Sequence, residues 1–198
     1  MSAPPVTVLT ATPDEEAAII AAVRAAPGRT IAGPEHVEGL YTLLSDERVS
    51  GPIYDLPRPI TRDSIADWVA QSADLQQQGR CVLAVNLDEA GEVAGYSRFS
   101  IWPERSSGEL AGARRADLQN SGGGRQGVTQ SIGWMFEVLG LRLIGLTAAL
   151  DNVRSARAIE GAGFRSMGEV ESVKPDGSSR RSLYWELTRE EWERLHRL

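Results

Sequence analysis

Apolar residues in the first part of the chain recur mostly at the spacing of amphipathic helices. Residues 14–26 are rich in alanine and predict a helix that ends at Pro27-Gly28. A second helix is predicted over about residues 34–44. A third follows Pro59 and begins at a cap formed by Thr61 or Asp63, with an apolar face of Ile65, Trp68 and Val69.

The pattern then changes from helical spacing to alternation. Residues 80–88 place four apolar side chains on one side, which predicts a half-buried strand; they are Cys81, Leu83, Val85 and Leu87. Residues 89–92 predict a hairpin turn, and residues 93–102 continue as the partner strand. A third strand is predicted over residues 109–118, although Arg114-Arg115 is unusual within a strand.

Helices and strands alternate in the second half. A helix ending near Gly140 is predicted from apolar residues at helical spacing, namely Val128, Ile132, Met135, Phe136 and Leu139. Residues 141–150 form a strongly apolar, central strand, and Asp151-Asn152 caps a short helix that ends at Gly163. Two strands flank a turn at residues 175–178, and a last helix opens with the capping box Thr188…Glu191. The order predicts an α/β or α+β domain around one mixed sheet flanked by helices.

Composition narrows the possible functions. The 198 residues suit one domain, and the net charge of −6 weighs against nucleic acid as the main ligand and favours cationic partners such as amines. No apolar run approaches the roughly 20 residues of a membrane span, and the N-terminal residues lack signal-peptide features. Cys81 is the lone cysteine, so we expect a reducing, cytoplasmic location. With only His36 and His196 beside it, no His/Cys metal site is expected.

A glycine-rich loop, Gln119-Asn120-Ser121-Gly122-Gly123-Gly124, joins a predicted strand to a helix. Its amides and the helix dipole suit a pyrophosphate, although a glycine triplet alone is also an ordinary flexible turn. Gly122-x-Gly124-x-x-Gly127 formally matches the dinucleotide fingerprint, with Asp151 farther along the chain. Residues 116–120 are polar, however, where that fold needs a buried strand. A nicotinamide-dependent oxidoreductase is therefore the weaker interpretation.

Three motifs in register resemble the GNAT superfamily of N-acetyltransferases. Gln119-x-x-Gly122-x-Gly124 is similar to its pyrophosphate loop, and Asn152-Val153-Arg154-Ser155 followed by Gly163-Phe164 is similar to its second motif. Residues 136–141 resemble the link from the family's helix to its next strand. Residues 41–46 and Ser155 look most like the branch that includes ribosomal-protein N-terminal acetyltransferases (RimJ/RimL-like). The resemblance implies an acetyltransferase domain over residues 29–198 and an N-terminal extension, a strand-plus-helix arm, over residues 1–28.

The resemblance also implies how acetyl-CoA is held as cosubstrate, with no metal. The family's central sheet is mixed, mostly antiparallel and splayed at the cofactor cleft, with a β-bulge expected in the strand before the loop. The backbone of Gly112, Ala113 and Arg114 is expected to bind the pantetheine arm and to polarise the thioester carbonyl. The pyrophosphate is expected to meet Gln119 and the amides of Asn120, Ser121, Gly122, Gly123, Gly124 and Arg125. Asn152 is expected to meet the pantetheine, and it equally suits an ordinary helix cap.

For catalysis, the resemblance points to two residues. Glu109 aligns with a glutamate that many family members carry at the start of this strand, and it is the candidate base; a solvent-facing carboxylate is the competing interpretation. Many members place a tyrosine acid in the second-motif helix, where this chain has Ile159. That role is then absent or falls to Ser155. Arg114-Arg115 bind an acidic substrate group or pair with acidic side chains.

The sequence therefore predicts an acetyl-CoA-dependent N-acetyltransferase that acts on a primary amine in a ternary complex. The amine belongs to a protein N-terminus, a lysine or a small molecule. The alternative is a non-catalytic acyl-CoA-binding or sensor domain on the same fold, because Ile159 replaces the usual acid.

Overall fold

The computed structural model describes residues 3–119, 123–173 and 177–196. The helices of these residues are α1 (Pro13–Ala25), α2 (Val37–Ser45), α3 (Glu47–Ser50), α4 (Arg62–Gln77), α5 (Gly123–Glu137), α6 (Val153–Gly161) and α7 (Arg189–His196). The strands are β1 (Cys81–Leu87), β2 (Val93–Trp102), β3 (Ser107–Arg114), β4 (Leu143–Ala149), β5 (Arg165–Val173) and β6 (Ser179–Thr188). Within this part of the chain no helix is long and apolar enough to cross a membrane.

All six strands belong to one sheet, in the order β1-β2-β3-β4-β6-β5. Every neighbouring pair is antiparallel except β3 and β4, which are parallel and joined through α5. The parallel pairing is short, because it starts at Ser107↔Leu143 and ends at Glu109↔Gly145. Among the described residues, no strand pairs with residues 110–114 of β3 on that side. The predicted mixed, mostly antiparallel and splayed sheet is confirmed, and a doubly wound dinucleotide fold is not present.

The sheet separates two hydrophobic clusters. One face packs against α1 and α5, and its cluster includes Ile19, Val23, Ile132 and Phe136. The other face packs against α2 and α4, with Leu40, Leu44, Ile65 and Trp68 among its members. The prediction of a half-buried β1 was wrong, because Val82 and Ala84 contribute to the first cluster while Leu83 and Val85 contribute to the second. Helices therefore cover both sides of this strand.

Two helices, α4 and α7, begin at polar caps that the sequence predicted. Thr61, rather than Asp63, caps α4, because its side chain accepts from the Ser64 N–H. At the start of α7, Thr188 and Glu191 bond reciprocally. Gly140 has a φ of +80°, in the left-handed region that favours glycine after a helix end.

Two predictions about β3 need correction. The strand ends at Arg114 instead of residue 118, and a 3₁₀ turn follows. Arg115 pairs there with Asp88 at 3.0 Å and with Asp117 at 2.8 Å, which holds the chain in the turn. The expected β-bulge is absent from the β2–β3 ladder, because its register runs unbroken from Ser107 to Arg114.

Candidate active site

The separation of β3 from β4 leaves one side of β3 open. The Arg115 N–H donates to the Ala94 carbonyl, and backbone direction alternates along an antiparallel strand. The N–H and C=O groups of Ala113 therefore face β2, while those of Leu110, Gly112 and Arg114 face the open side. Leu110 is an addition to the predicted set, since only the observed register reveals which residues face the opening.

Gly112 lies at the exposed part of this open edge. A Cβ at this position would stand 2.6 Å from the Tyr96 carbonyl oxygen of β2, so glycine permits the close approach of the two strands. The Gln119 side chain folds back onto the same edge, where its Nε2 donates to the Arg114 carbonyl at 2.9 Å. Gln119 thus fixes the end of β3 next to the glycine-rich loop.

Helix α5 begins directly after that loop. Gly123, Gly124 and Arg125 form its first turn, where backbone N–H groups lack intrahelical acceptors and the helix dipole favours an anion. Asn120, Ser121 and Gly122 lie outside the described residues. The connection places the N-terminus of α5 at the open end of β3.

Helix α6 starts at the same edge of the sheet, because β3 and β4 are parallel and α6 follows the end of β4. Asn152 is its N-cap and accepts from the Ser155 N–H at 3.1 Å. This bond uses the backbone of Ser155 and leaves its partly buried hydroxyl out of the cap. Farther along α6, Ile159 is buried in the first hydrophobic cluster, so this position supplies no acid.

Glu109 sits at the last paired position before β3 and β4 separate. Its Oε1 accepts a hydrogen bond from Thr147 Oγ1 of β4 at 3.2 Å, so the pair bridges the mouth of the opening. Both side chains are partly buried and lie on the sheet face that α2 and α4 cover farther toward β1. The carboxylate is thus oriented by a neutral donor at the point where the opening begins.

Tyr54 brings a phenol to the same place from the loop between α3 and α4. Its side chain lies beside Thr147, and burial first, then the charges of Glu109 and Asp55, raise the pKa of Tyr54 to about 12. The Arg180 guanidinium lies 4.3 Å from the centre of the Tyr54 ring, and its Nη1 donates to the Pro52 carbonyl. The phenol therefore stays protonated at neutral pH and is available as a donor. Sequence reasoning missed Tyr54 and Thr147, since neither belongs to a motif.

These parts form a cleft with a definite polarity. A helix N-terminus suited to an anion lies at one end, open backbone groups line the middle, and a carboxylate with two hydroxyl neighbours lies at the inner end. Among residues 3–119, 123–173 and 177–196, no group of three His, Cys, Asp or Glu side chains has the geometry to hold a metal ion.

Similarity to known proteins agrees with this geometry. The family profile described as "Acetyltransferase (GNAT) domain" matches residues 29–165. No curated protein sequence matches the chain at a significant level.

Solved structures share the fold at low sequence identity. Ribosomal-protein-S5-alanine acetyltransferase from Vibrio fischeri superposes with a TM-score of 0.69 at 17% identity, over 82% of this chain and 92% of that chain. AAC(6')-Ib in complex with ribostamycin and coenzyme A gives a TM-score of 0.70 at 20% identity, over 84% and 96%. A spermidine N-acetyltransferase chimera from Vibrio cholerae and hSSAT gives 0.69 at 16%, also over 84% and 96%. The three differ in acceptor, so their shared fold leaves the acceptor open.

Proposed function

The chain belongs to the GNAT acetyltransferase family, and we propose that it transfers the acetyl group of acetyl-CoA to a primary amine by direct attack. One observation carries the proposal: β3 and β4 separate immediately after Glu109, so that open backbone groups of β3 begin beside a carboxylate. Acetyl-CoA supplies an activated acetyl thioester when it is bound.

The cofactor contacts follow from the open edge. We infer that Gly112 offers its N–H and C=O, and Arg114 its N–H, to the pantetheine arm, while Ala113 holds β3 on β2. Gly123, Gly124 and Arg125 offer first-turn amides to the pyrophosphate, together with Gln119 and the loop residues Asn120, Ser121 and Gly122. Asn152 contributes mainly by fixing the start of α6, through its bond with the Ser155 N–H.

Glu109 is proposed as the base. A lysine-like amine has a pKa near 10.4, so only about one molecule in a thousand is neutral at pH 7. A carboxylate at the inner end of the cleft accepts the proton as the amine attacks, either directly or through one water. Thr147 keeps that carboxylate oriented through the 3.2 Å bond to its Oε1.

The leaving thiolate needs a hydrogen bond more than a proton. A thiol has a pKa of about 8.5, whereas the pKa of Tyr54 is raised to about 12. Proton transfer from this phenol to a thiolate would therefore be uphill by roughly 3.5 pKa units, or about 5 kcal/mol. Tyr54 is thus proposed as a hydrogen-bond donor near the reacting carbon. Ser155, in the first turn of α6, is proposed to donate to the sulfur, where the helix dipole also favours an anion.

Within the family, a protein N-terminus is our proposed acceptor class. Support comes from residues 41–46 and Ser155, which resemble the branch of ribosomal-protein N-terminal acetyltransferases. Lysine and small-molecule amines are the other acceptor types to be compared in the test below.

Release of free coenzyme A thiol tests the proposal. The purified protein is given acetyl-CoA with one acceptor at a time: a peptide with a free N-terminus, the same peptide with an acetylated N-terminus and one lysine, spermidine, and kanamycin. We expect thiol release with the first peptide, above the rate of acetyl-CoA hydrolysis without acceptor. Calorimetric binding of acetyl-CoA without release on any acceptor would instead support a non-catalytic acyl-CoA-binding domain. That alternative has one favourable observation, the buried Ile159 at the family's acid position.

A further inference from the structure

The N-terminal segment of the chain crosses the sheet face that carries Glu109. Thr7 binds Glu186 of β6 through its N–H at 2.9 Å and its hydroxyl at 2.5 Å. The Val6 N–H donates to Tyr184 Oη at 3.0 Å, and Arg105 Nη2 donates to the Pro5 carbonyl at 2.8 Å. These contacts fix the segment over β4 and β6.

The segment covers a gap between two carboxylates. Glu109 is the partner of Gly145, and Gly145 is the partner of Glu186, so the three residues form one row on the same face. With strands about 4.8 Å apart, the two glutamate Cα atoms are roughly 10 Å apart. Gly145 leaves space between them, and a Cβ there would stand 2.7 Å from Tyr184 Oη and 3.3 Å from Pro5 Cγ. Pro5 and Tyr184 therefore fill the gap beside the candidate base.

Glu186 is buried under this cover. It is 2% exposed, and the described donors to its carboxylate are all neutral, namely the N–H and O–H of Thr7 and the O–H of Tyr184. A buried carboxylate held in this way would attract a second ammonium group if an acceptor reached it. The segment prevents that approach by occupying the hydrogen-bonding positions of Glu186.

On the side of Glu109 away from the N-terminal segment, the positive charge of Arg180 disfavours a second cation. Arg180 stacks on Tyr54, and Tyr54 lies beside Thr147, the hydrogen-bond partner of Glu109. An acceptor at Glu109 would thus meet a guanidinium on this side and the N-terminal segment, which Arg105 holds by its backbone, on the other. One ammonium followed by uncharged groups suits such a site, whereas a polyamine does not.

We propose that residues 5–7 form one wall of the acceptor site and exclude amines with a second cationic group by covering Glu186. The proposal rests on the acetyltransferase function proposed above, and it makes a segment outside the matched family domain a determinant of acceptor choice.

The test compares two acceptors, spermidine and the tripeptide Ala-Gly-Gly amide. In the wild type we expect kcat/KM for spermidine to be at least about tenfold below that for the tripeptide. Deletion of residues 2–7 should raise the spermidine-to-tripeptide ratio about tenfold, the factor for one added ion pair of about 1.4 kcal/mol. Glu186→Gln in the deletion variant should cancel the gain. Val8→Ala is the matched control, because Val8 is exposed and should leave the ratio unchanged.

A second variant keeps the chain length in case the deletion variant does not fold. Pro5→Gly with Thr7→Gly removes the ring contact near Gly145 and the hydroxyl bond to Glu186, and it should shift the ratio in the same direction. A ratio that stays within twofold of the wild type in the folded variants would overturn the proposal, as would an unchanged gain with Glu186→Gln.

Calorimetry separates this proposal from the proposed function. Spermidine is titrated into the coenzyme A complex of each variant, which requires no turnover. Binding to the deletion variant but not to the wild type would support the wall even if no amine were acetylated. Equal binding to both would refute the wall even in an active enzyme.

Discussion

At the scale of single residues, the position of Glu109 predicts a specific effect of the substitution Glu109→Gln on turnover. Glu109→Gln keeps the shape of the side chain and an acceptor for Thr147 Oγ1, but removes the carboxylate that we propose takes the proton. Turnover at pH 7 should fall by about 10²–10⁴-fold and recover partly at high pH, where the amine loses its own proton. Acetyl-CoA binding should change little.

Initial rates from pH 7 to 10 and calorimetric titration measure these two effects. Glu169→Gln is the matched control, because Glu169 lies on β5 and pairs with Arg181 away from the cleft. Equal turnover of Glu109→Gln and wild type at every pH would exclude Glu109 as the base.

Tyr54 predicts a distinct dependence on pH. Its pKa is raised from 10.0 to about 12, so the folded state favours the neutral phenol. The stabilisation is complete below pH 10, and it is lost as the pH rises from 10 to 12, because the unfolded chain ionises first. Tyr54→Phe has no ionisable group at this position, so it lacks this pH-dependent contribution to stability.

Urea unfolding of the wild type and of Tyr54→Phe at pH 9, 10, 11 and 12 measures how much Tyr54 contributes to the free energy of unfolding. The free energy of unfolding should fall more steeply for the wild type than for Tyr54→Phe over this range. Tyr96 and Tyr184 also have raised pKa values, so only the comparison with Tyr54→Phe isolates this residue. Parallel curves would mean that Tyr54 ionises as freely in the folded state as in the unfolded chain.

Only some residues of the candidate site could be predicted from the sequence. Glu109 could be predicted because it aligns with a family motif at the start of a strand. Thr147 and Tyr54 could not, because their roles depend on the β3–β4 register and on a loop that carries no periodic pattern. Ile159 was identified as a departure, and its burial in the core follows from the helical pattern around it.

At the scale of elements, the close approach of β2 and β3 makes Gly112 a test of the open edge. An added Cβ would stand 2.6 Å from the Tyr96 carbonyl oxygen, a backbone atom that moves only with its strand. Gly112→Ala should therefore cost about 1–3 kcal/mol of folding free energy. It should also weaken acetyl-CoA binding, because the shifted strand presents its backbone groups differently.

Gly127→Ala provides the matched control for Gly112→Ala. Gly127 is inside α5, and among the described residues no atom outside the local helix backbone lies within 4 Å of a Cβ built there. The control should be neutral or stabilise by up to about 1 kcal/mol. Chemical denaturation of both variants decides the matter: an equally neutral Gly112→Ala would mean that β2 and β3 adjust without cost.

Elements with strong periodicity were predictable, and their exact ends were less so. Three helices, α4, α6 and α7, began at predicted caps because Thr61, Asn152 and Thr188 bind backbone N–H groups within three residues. The end of β3 was misplaced because it depends on ion pairs of Arg115, one of them with Asp88 on another turn. The short β3–β4 pairing came only from the family resemblance, since local sequence does not specify where two parallel strands separate.

At the scale of the whole molecule, the remaining question is whether residues 1–28 are an appendage. The family match begins at residue 29, which favours an added arm. Helix α1 nevertheless contributes Ile19 and Val23 to the cluster that includes Ile132 and Phe136 of α5. Ile19 is 1% exposed. The alanine-rich composition of residues 14–26 predicted the helix but gave no indication of its partners.

We therefore predict that α1 is integral to folding, and Ile19→Ala tests this prediction. Removing a buried isoleucine side chain leaves a cavity and should cost about 2–5 kcal/mol. For a domain of this length, each kcal/mol lowers the melting temperature by about 2–4 °C. Ile20→Ala is the matched control, because the Ile20 side chain is partly exposed. This substitution should cost less than half as much folding free energy as Ile19→Ala. Thermal melts of both variants measure the difference. Equal, small shifts would identify α1 as a separable arm, whereas a large shift for Ile19→Ala alone would make residues 13–25 part of the domain's core.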